Sequence, residues 1–261
     1  DLEGILKKQY KDASNIMARI NLHKQYSVNP QGWFPWIYEQ MEVKAGQKIL
    51  ELGCGAGDIW VENTDRLPPD VTITVTDISE GMLRDARREI GREDAAFSYE
   101  LCECEQIPFA DDTFDLVIAN HVLFYCEDIE KACREIRRVL KPGGMLVAGT
   151  YGSDHMKEIS QLVLEFDTRI ILAAENLYDR FGKENGVEML ERTFKQVEWR
   201  QYEDAIEIDD AEPLISYVLS CHGNQSQYIA HKYKEFRAFM KKKTAGGFHI
   251  TKDAGIFIAK K

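Results

Sequence analysis

A glycine-rich turn contains the residue types that most directly suggest chemistry in this chain. Segment 49–58 reads Ile-Leu-Glu-Leu-Gly-Cys-Gly-Ala-Gly-Asp, an apolar strand that runs into Gly53, Gly55 and Gly57. Glycine lets a ligand lie against bare backbone because it has no side chain to block the approach. A dinucleotide-binding turn would have glycine at position 58, but Asp58 stands there, and its carboxylate would repel a diphosphate. The turn therefore favours a ligand that carries positive charge.

Two further acids follow the next two predicted strands. Asp77 ends the second strand, 20 residues after Gly57, where a carboxylate can accept hydrogen bonds from both hydroxyls of a ribose. The alternative is a helix N-cap, since Ser79 also fits the start of a helix. Glu103 lies just past the third strand, where it would accept a hydrogen bond from an adenine amino group or stand exposed to solvent.

Three side chains are candidates for moving a proton. Asn120-His121 follows the fourth predicted strand, at the edge where ligands of open α/β sheets bind. An imidazole titrates near neutrality, so we predict His121 as the general base, with a hydrogen-bonded structural histidine as the alternative. Tyr125 is the second candidate, and His155, after the fifth strand, is the third. For His155 the alternative is a histidine at a helix N-terminus with no catalytic role.

Aromatic residues near the N-terminus suggest a cover for the ligand. Tyr26, Trp33 and Trp36 would form a lid over it, or an aromatic cluster packed beneath an N-terminal helix. Cys102-x-Cys104 suggests a thiol site for metalloid chemistry, because residues i and i+2 of a strand share a face, but core cysteines are the more common case. Asp111-Asp112 fits a solvated turn, and we expect no metal.

From residue 47 onward, strands and helices are predicted to alternate. Strands are predicted at 47–52, 71–76, 96–101, 114–119 and 144–150, and helices at about 58–66, 80–90 and 127–139. This alternation is typical of parallel strands joined by right-handed crossovers. Beyond residue 152 the predicted helices are 154–173, 184–193, 212–220 and 226–242, and the predicted strands are 195–203 and 248–259.

These motifs, taken together, resemble the S-adenosylmethionine-dependent methyltransferases of the Rossmann-like class. The resemblance is closest to the ubiquinone/menaquinone-methyltransferase-like branch with small-molecule substrates. The residues that carry it are 51–57, Asp77, 106–109, Phe114-Asp115 and 138–144. It implies S-adenosylmethionine as cofactor, with its methionine part at the glycine turn, its ribose at Asp77, its adenine beside Glu103 and Cys104, and its methyl group beside residues 120–125. The implied cofactor-binding set is Tyr26, Trp36, Glu51, Gly53, Cys54, Gly55, Gly57, Asp77, Ile78, Met82, Glu103, Cys104, Asn120 and His121.

The resemblance also implies a Rossmann-like α/β fold, a seven-stranded, mostly parallel sheet with an antiparallel last strand and a helical cap. We expect an N-terminal helical and aromatic lid at 1–43, a cofactor-binding core at 44–152 and a helical cap at 153–193. Residues 194–261 would add the remaining strands, and their inserted helices at 209–243 would contribute to the cap.

The implied activity is methyl transfer to a small organic acceptor, with oxygen favoured by the proposed base and nitrogen or carbon as alternatives. Three other functions stay open. A non-catalytic protein would bind S-adenosylmethionine or S-adenosylhomocysteine without turnover. An NAD-dependent oxidoreductase would share the sheet, although Asp58 disfavours it, and a metalloid methyltransferase would use the thiols.

Composition narrows the partners and the compartment. The formal net charge is −11, which disfavours nucleic acid because no basic surface is available for phosphates. We expect no membrane segment and no signal peptide. Six cysteines in 261 residues are too few for a disulfide scaffold, so we expect a cytoplasmic protein with reduced thiols. A homo-oligomer is as compatible with the composition as a monomer.

Overall fold

The computed structural model describes residues 17–261, which form two compact units. The sheet unit comprises residues 31–153, 177–202 and 254–261. Of the described residues, the helical unit comprises 17–30, 154–176 and 203–253. These boundaries differ from the predicted ones, because residues 31–43 and 177–193 belong to the sheet unit. The predicted roles of lid and cap stay predictions.

The strands, in chain order, are β1 (Lys48–Leu52), β2 (Thr72–Asp77), β3 (Phe97–Leu101), β4 (Phe114–Asn120), β5 (Leu140–Tyr151), β6 (Lys195–Tyr202), β7 (Ala205–Ile208), β8 (Phe248–Thr251) and β9 (Ala254–Lys260). The helices are α1 (17–26), α2 (Trp33–Met41), α3 (Asp58–Val61), α4 (Glu80–Ile90), α5 (Ile129–Val139), α6 (Lys157–Phe166), α7 (Leu177–Arg180), α8 (Gly186–Glu191), α9 (Ala211–Ser220), α10 (Gln225–Ile229) and α11 (Tyr233–Thr244). Three 3-10 turns cover Thr64–Arg66, Leu123–Tyr125 and Ala230–Lys232. No helix within residues 17–261 is both long enough and apolar enough to cross a bilayer.

The sheet unit is built on a seven-stranded sheet in the order β3-β2-β1-β4-β5-β9-β6. Neighbours from β3 to β5 pair in parallel, and β9 pairs antiparallel with both β5 and β6. The predicted seven-stranded, mostly parallel sheet with an antiparallel last strand is therefore confirmed. The reversal of strand order lies between β1 and β4, and in open α/β sheets ligands bind at such a point, outside the carboxyl ends of the strands.

Both faces of this sheet are covered. Along β4, Val117 and Ala119 pack into one buried cluster, while Leu116 and Ile118 pack into the cluster on the opposite face. Successive side chains of a strand point to opposite faces, so a strand buried on both sides reads as a continuous apolar run. That run fixes β4 in the middle of the sheet, and with it the position of the residues that follow Asn120.

Ordinary capping signals set the helices beside the site. The Ser79 side chain caps α4 by accepting a hydrogen bond from Met82 N at 3.2 Å. Gly91, with φ 66°, ends the same helix in the left-handed region, where glycine is favoured. Asp128 caps α5 through Lys131 N at 3.0 Å. The N-cap alternative for Asp77 is therefore wrong, because Ser79 takes that position.

The helical unit packs its helices and the small β7–β8 sheet around a separate apolar cluster. The prediction of a single strand at 248–259 is wrong, because two strands cover this segment. β8 pairs with β7 in this unit, and β9 belongs to the sheet unit. The interruption contains Lys252, whose ammonium forms a buried ion pair with Asp204 at 2.8 Å. The predicted helix at 154–173 is also shorter: Met156 has φ 60°, and α6 begins after it.

Candidate functional site

A cleft of about 540 Å³ lies at the carboxyl end of β1, β2 and β4, within the range of small-molecule sites. Nine of the predicted site residues border it. The lining residues are Gly53, Gly55, Asp77, Ile78, Met82, Cys102, Glu103, Cys104, Glu105, His121, Val122, Tyr125, Cys126 and Glu127. The structure thus brings the glycine turn, the two predicted acids and the predicted base to one place in the sheet unit.

Each of the three glycines of the turn has its own structural reason for being glycine. A Cβ added at Gly53 would overlap the Val122 side chain, and one added at Gly57 would lie 3.0 Å from Ile90 Cδ1. Gly55 differs, because a Cβ there meets no protein atom within 4 Å although the residue borders the cleft. Gly53 and Gly57 are required for packing and for their positive φ. Gly55 leaves backbone open to a ligand.

The Asp77 carboxylate is held by two backbone amides. Its Oδ2 accepts a hydrogen bond from Gly55 N at 3.1 Å, and its Oδ1 accepts one from Ser79 N at 2.9 Å. A carboxylate offers about four acceptor positions. Both oxygens therefore keep a lone pair for a ligand, in a side chain whose orientation is already fixed.

Glu51 and Cys54 do not border the cleft. The Glu51 carboxyl is 3% exposed and accepts a hydrogen bond from Trp60 Nε1 at 2.8 Å. Burial raises the pKa of Glu51 to about 8, and the neighbouring Asp58 and Asp77 raise it further, against the hydrogen bond from Trp60. Glu51 is therefore largely protonated at neutral pH. Cys54 packs into the core, and its amide donates to Thr76 O at 2.9 Å.

Two of the three thiols along the cleft, Cys102 and Cys104, are held in their protonated forms, whereas a hydrogen bond with Cys104 lowers the pKa of the third, Cys126. Burial raises the pKa of Cys102 to about 11, and a hydrogen bond with Cys126, with burial, raises that of Cys104. A thiolate, rather than a thiol, is the nucleophile and metal ligand. Within residues 17–261, no group of three or more histidine, cysteine or acidic side chains is arranged to hold a metal ion.

His121 lies in an aromatic stack at the inner end of the cleft. Its ring stacks on Tyr151 with centroids 4.3 Å apart, and on Trp33 at 5.3 Å. The residue has φ 55°, uncommon for a side chain of this size, and its amide donates to Gly149 O at 3.0 Å. Burial lowers the pKa of His121 to about 4, below the near-neutral value on which the prediction of a general base relied, so the ring is neutral at neutral pH and a weaker base than a free imidazole.

This neutral state predicts an acid-sensitive fold. At pH 5 the folded protein keeps His121 neutral, whereas the unfolded chain binds a proton there with a pKa near 6.5. Stability from this group is therefore present above pH 6.5 and is lost as pH falls toward 4. Urea unfolding measures the free energy of unfolding at pH 7 and at pH 5. From pH 7 to pH 5 this free energy should fall by about 2 kcal/mol more in the wild type than in His121→Asn. The exposed His222 supplies the control, His222→Asn, and an equal loss in all three proteins contradicts the prediction.

Other predicted residues lie elsewhere. Tyr125 borders the cleft and is 71% exposed. Trp36 contacts Trp33 and Tyr202 in the sheet unit. Tyr26 and His155 belong to the helical unit, where His155 Nδ1 accepts a hydrogen bond from Asp253 N at 3.0 Å. Because that bond occupies one ring nitrogen, it favours the structural alternative for His155.

Sequence reasoning missed two acidic lining residues, Glu105 and Glu127. An isolated bridge between Glu103 and Gln106 folds the chain back and places Glu105 at the cleft, where it accepts a hydrogen bond from Asp128 N at 2.5 Å. Glu127 follows the 3-10 turn at Leu123–Tyr125. Neither has a motif of its own, but each lies within two residues of a position already singled out.

The family match of this chain lies within the sheet unit. The family model described as a methyltransferase domain matches residues 50–148. The ubiquinone/menaquinone biosynthesis C-methyltransferase UbiE of Geobacter sulfurreducens is 31% identical over 139 residues, 52% of this chain and 54% of that protein. The methyltransferase GfsG of Streptomyces halstedii is 28% identical over 208 residues, 70% of this chain and 73% of that protein. The chain thus spans about half the length of the first relative.

A solved structure extends the likeness of fold over nearly the whole chain. It is the Haemonchus contortus phosphoethanolamine N-methyltransferase 2 in complex with S-adenosyl-L-methionine. The TM-score is 0.57 at 21% identity, covering 97% of this chain and 58% of that one. At this identity the likeness concerns the fold alone.

Proposed function

We propose that the cleft binds S-adenosylmethionine and that the protein transfers a methyl group to a small organic acceptor, a proposal supported by the match of residues 50–148 to a methyltransferase domain. The observation that carries the proposal is the charge of the cleft. Its lining has four carboxylates, at Asp77, Glu103, Glu105 and Glu127, and no lysine or arginine. Such a lining favours a sulfonium and an ammonium and opposes a diphosphate.

The cofactor would be held by residues with separate tasks. Gly55 gives it open backbone, and Asp77 has two lone pairs left for ribose hydroxyls. Ile78 and Met82, 69% and 46% exposed, would cover an apolar ring. Glu103 would accept a hydrogen bond from the adenine amino group. Exposed apolar side chains around one cleft are typical of a ligand site rather than of random surface.

When bound, S-adenosylmethionine supplies a methyl carbon already activated by its sulfonium. The protein then needs to hold the acceptor in line with that carbon and to exclude water. The aromatic stack at His121 supplies an apolar wall for this purpose. Its neutral imidazole accepts the proton if the acceptor is a hydroxyl, and we place Tyr125 beside the acceptor as an exposed contact residue.

The Geobacter relative, whose name describes a C-methyltransferase of ubiquinone/menaquinone biosynthesis, supports a small acceptor and keeps carbon as an alternative acceptor atom. We favour oxygen, since a hydroxyl acceptor has a proton to lose in the transfer and the His121 ring is already neutral at pH 7. The six free thiols also fit a reducing compartment, and we propose a cytoplasmic location on that ground.

Calorimetry separates this proposal from its rivals. We expect S-adenosylhomocysteine to bind the full-length chain and NAD not to bind. Tight NAD binding would instead support an oxidoreductase. Turnover is then measured as S-adenosylhomocysteine formed with phenols, amines and quinols. Tight binding with no turnover across the panel would support a non-catalytic binding protein.

Replacing Asp77 with asparagine should weaken S-adenosylhomocysteine binding about tenfold, or roughly 1.4 kcal/mol. The variant loses the negative charge and turns an amide NH₂ toward Gly55 N or Ser79 N, which are both donors. Calorimetry measures the change. Asp115→Asn is the control, because Asp115 also holds a strand amide, Lys48 N at 2.8 Å, but does not border the cleft. Equal effects of the two variants would show that Asp77 acts on folding rather than on the ligand.

A further inference from the structure

Three buried polar atoms of the sheet unit have no hydrogen-bond partner among residues 17–261, and one of them belongs to His121, which borders the cleft. They are Trp33 Nε1, Asn120 Oδ1 and His121 Nδ1. The described chain has one other such atom, Arg19 Nε, which lies in the helical unit. A buried polar group without a partner costs about 1–3 kcal/mol, so native proteins keep few of them. Three at one place indicate a group that the site is built to receive.

The three atoms belong to neighbouring side chains. The rings of Trp33 and His121 stack at 14° with centroids 5.3 Å apart, and Asn120 directly precedes His121. A Cβ added at Gly149 would overlap Asn120 Oδ1 and lie 3.3 Å from Trp33 Cζ2, so both side chains meet over the same glycine. His121 continues from this cluster to the lining of the cleft.

Their hydrogen-bonding capacities match those of one hydroxyl group. The Trp33 indole N–H is a donor only, and Asn120 Oδ1 is an acceptor only. The neutral His121 ring has one bare nitrogen that also accepts. A hydroxyl has one O–H to donate and lone pairs to accept. A carboxylate or phosphate would have no proton for the two acceptors, and it would meet the four acids of the cleft.

We propose that Trp33, Asn120 and His121 bind the reacting hydroxyl of an uncharged acceptor, an inference that rests on the proposed function. Trp33 Nε1 donates to the hydroxyl oxygen, and the hydroxyl proton is directed to His121 Nδ1 or Asn120 Oδ1. In the transfer, the oxygen forms a bond to the methyl carbon, and the carbon–sulfur bond breaks with its electron pair left on sulfur. The hydroxyl proton passes to His121 Nδ1 and then to solvent. The backbone of His121 is left-handed, and this conformation determines where its ring lies. Such strained backbone is typical of functional sites.

The test follows the Trp33 indole N–H by proton–nitrogen NMR in the full-length protein saturated with S-adenosylhomocysteine. The probes are 2-naphthol and its charged analogue 6-hydroxy-2-naphthoate. We expect 2-naphthol to shift the Trp33 resonance downfield, and the carboxylate to require at least a tenfold higher concentration for the same shift. Trp33→Phe, which keeps a ring and removes the N–H, should weaken 2-naphthol binding at least fivefold and leave S-adenosylhomocysteine affinity within twofold.

Trp199→Phe is the matched control, because its indole already donates to Gln201 Oε1 at 2.9 Å and does not border the cleft. It should change neither affinity. A Trp33 resonance that shifts with S-adenosylhomocysteine alone would assign the three atoms to the cofactor and overturn the proposal. So would equal affinity for the two probes, or a resonance that neither probe moves. If S-adenosylhomocysteine itself fails to bind the wild type, the proposed function fails first.

Discussion

Replacing Gly55 with alanine is expected to weaken S-adenosylhomocysteine binding roughly 100-fold while the protein stays folded. The added methyl group meets no protein atom within 4 Å, so it projects into space that the ligand would occupy. Overpacking by one methyl group in a close-fitting site costs about 1–3 kcal/mol, and 100-fold lies near the upper end of that range. Calorimetry gives the affinity, and thermal unfolding without ligand gives the stability.

Gly46→Ala is the matched control for this variant. Gly46 has φ 77°, against 55° for Gly55, and an added Cβ there also meets no atom within 4 Å. Both alanines carry a similar cost of about 1–2 kcal/mol for left-handed backbone, but Gly46 does not border the cleft. Equal stability loss with binding lost only in Gly55→Ala supports close backbone approach. Retained binding in Gly55→Ala contradicts it.

The sequence was sufficient for the sheet because its signals are local. The apolar runs of β1 and β4 need no distant partner to be recognised, and their order and parallel pairing follow from the intervening helices. The same reasoning predicts that Asp77, Glu103 and His121 lie close together. Each follows a parallel strand, and carboxyl ends of parallel strands meet at one edge.

Prediction from sequence failed where the local structure depends on a contact with a residue far away in the chain. The break between β8 and β9 contains Lys252, whose partner Asp204 lies 48 residues earlier, and no local pattern reveals that pair. Glu51 was expected at the ligand, but strand alternation places it on the face of Ile49, beneath Trp60. The unpaired state of Trp33 Nε1 is likewise a property of packing rather than of composition.

Glu51 nevertheless affects the cofactor through its charge. Its pKa of about 8 leaves it about 90% protonated at pH 7 in the ligand-free protein. The acids Asp58 and Asp77 act on this group through space, so a cation in the cleft acts on it with the opposite sign. A unit charge about 8 Å away, at an effective dielectric constant of about 20, is worth about 2 kcal/mol and lowers the pKa by about 1.5. Binding of S-adenosylmethionine should therefore release a proton from Glu51.

Relative to that of Glu51→Gln, the wild-type affinity for S-adenosylmethionine is accordingly expected to rise about 12-fold between pH 6.5 and 8.5. S-adenosylhomocysteine lacks the sulfonium charge and should show a smaller rise. Glu51→Gln keeps an oxygen for Trp60 Nε1 but has no proton to lose, so the rise that Glu51 causes should be absent from its affinity. Calorimetry in buffers of different ionisation enthalpy counts the released proton directly. A wild-type pH dependence that persists in Glu51→Gln would assign the proton to another group, because glutamine cannot titrate.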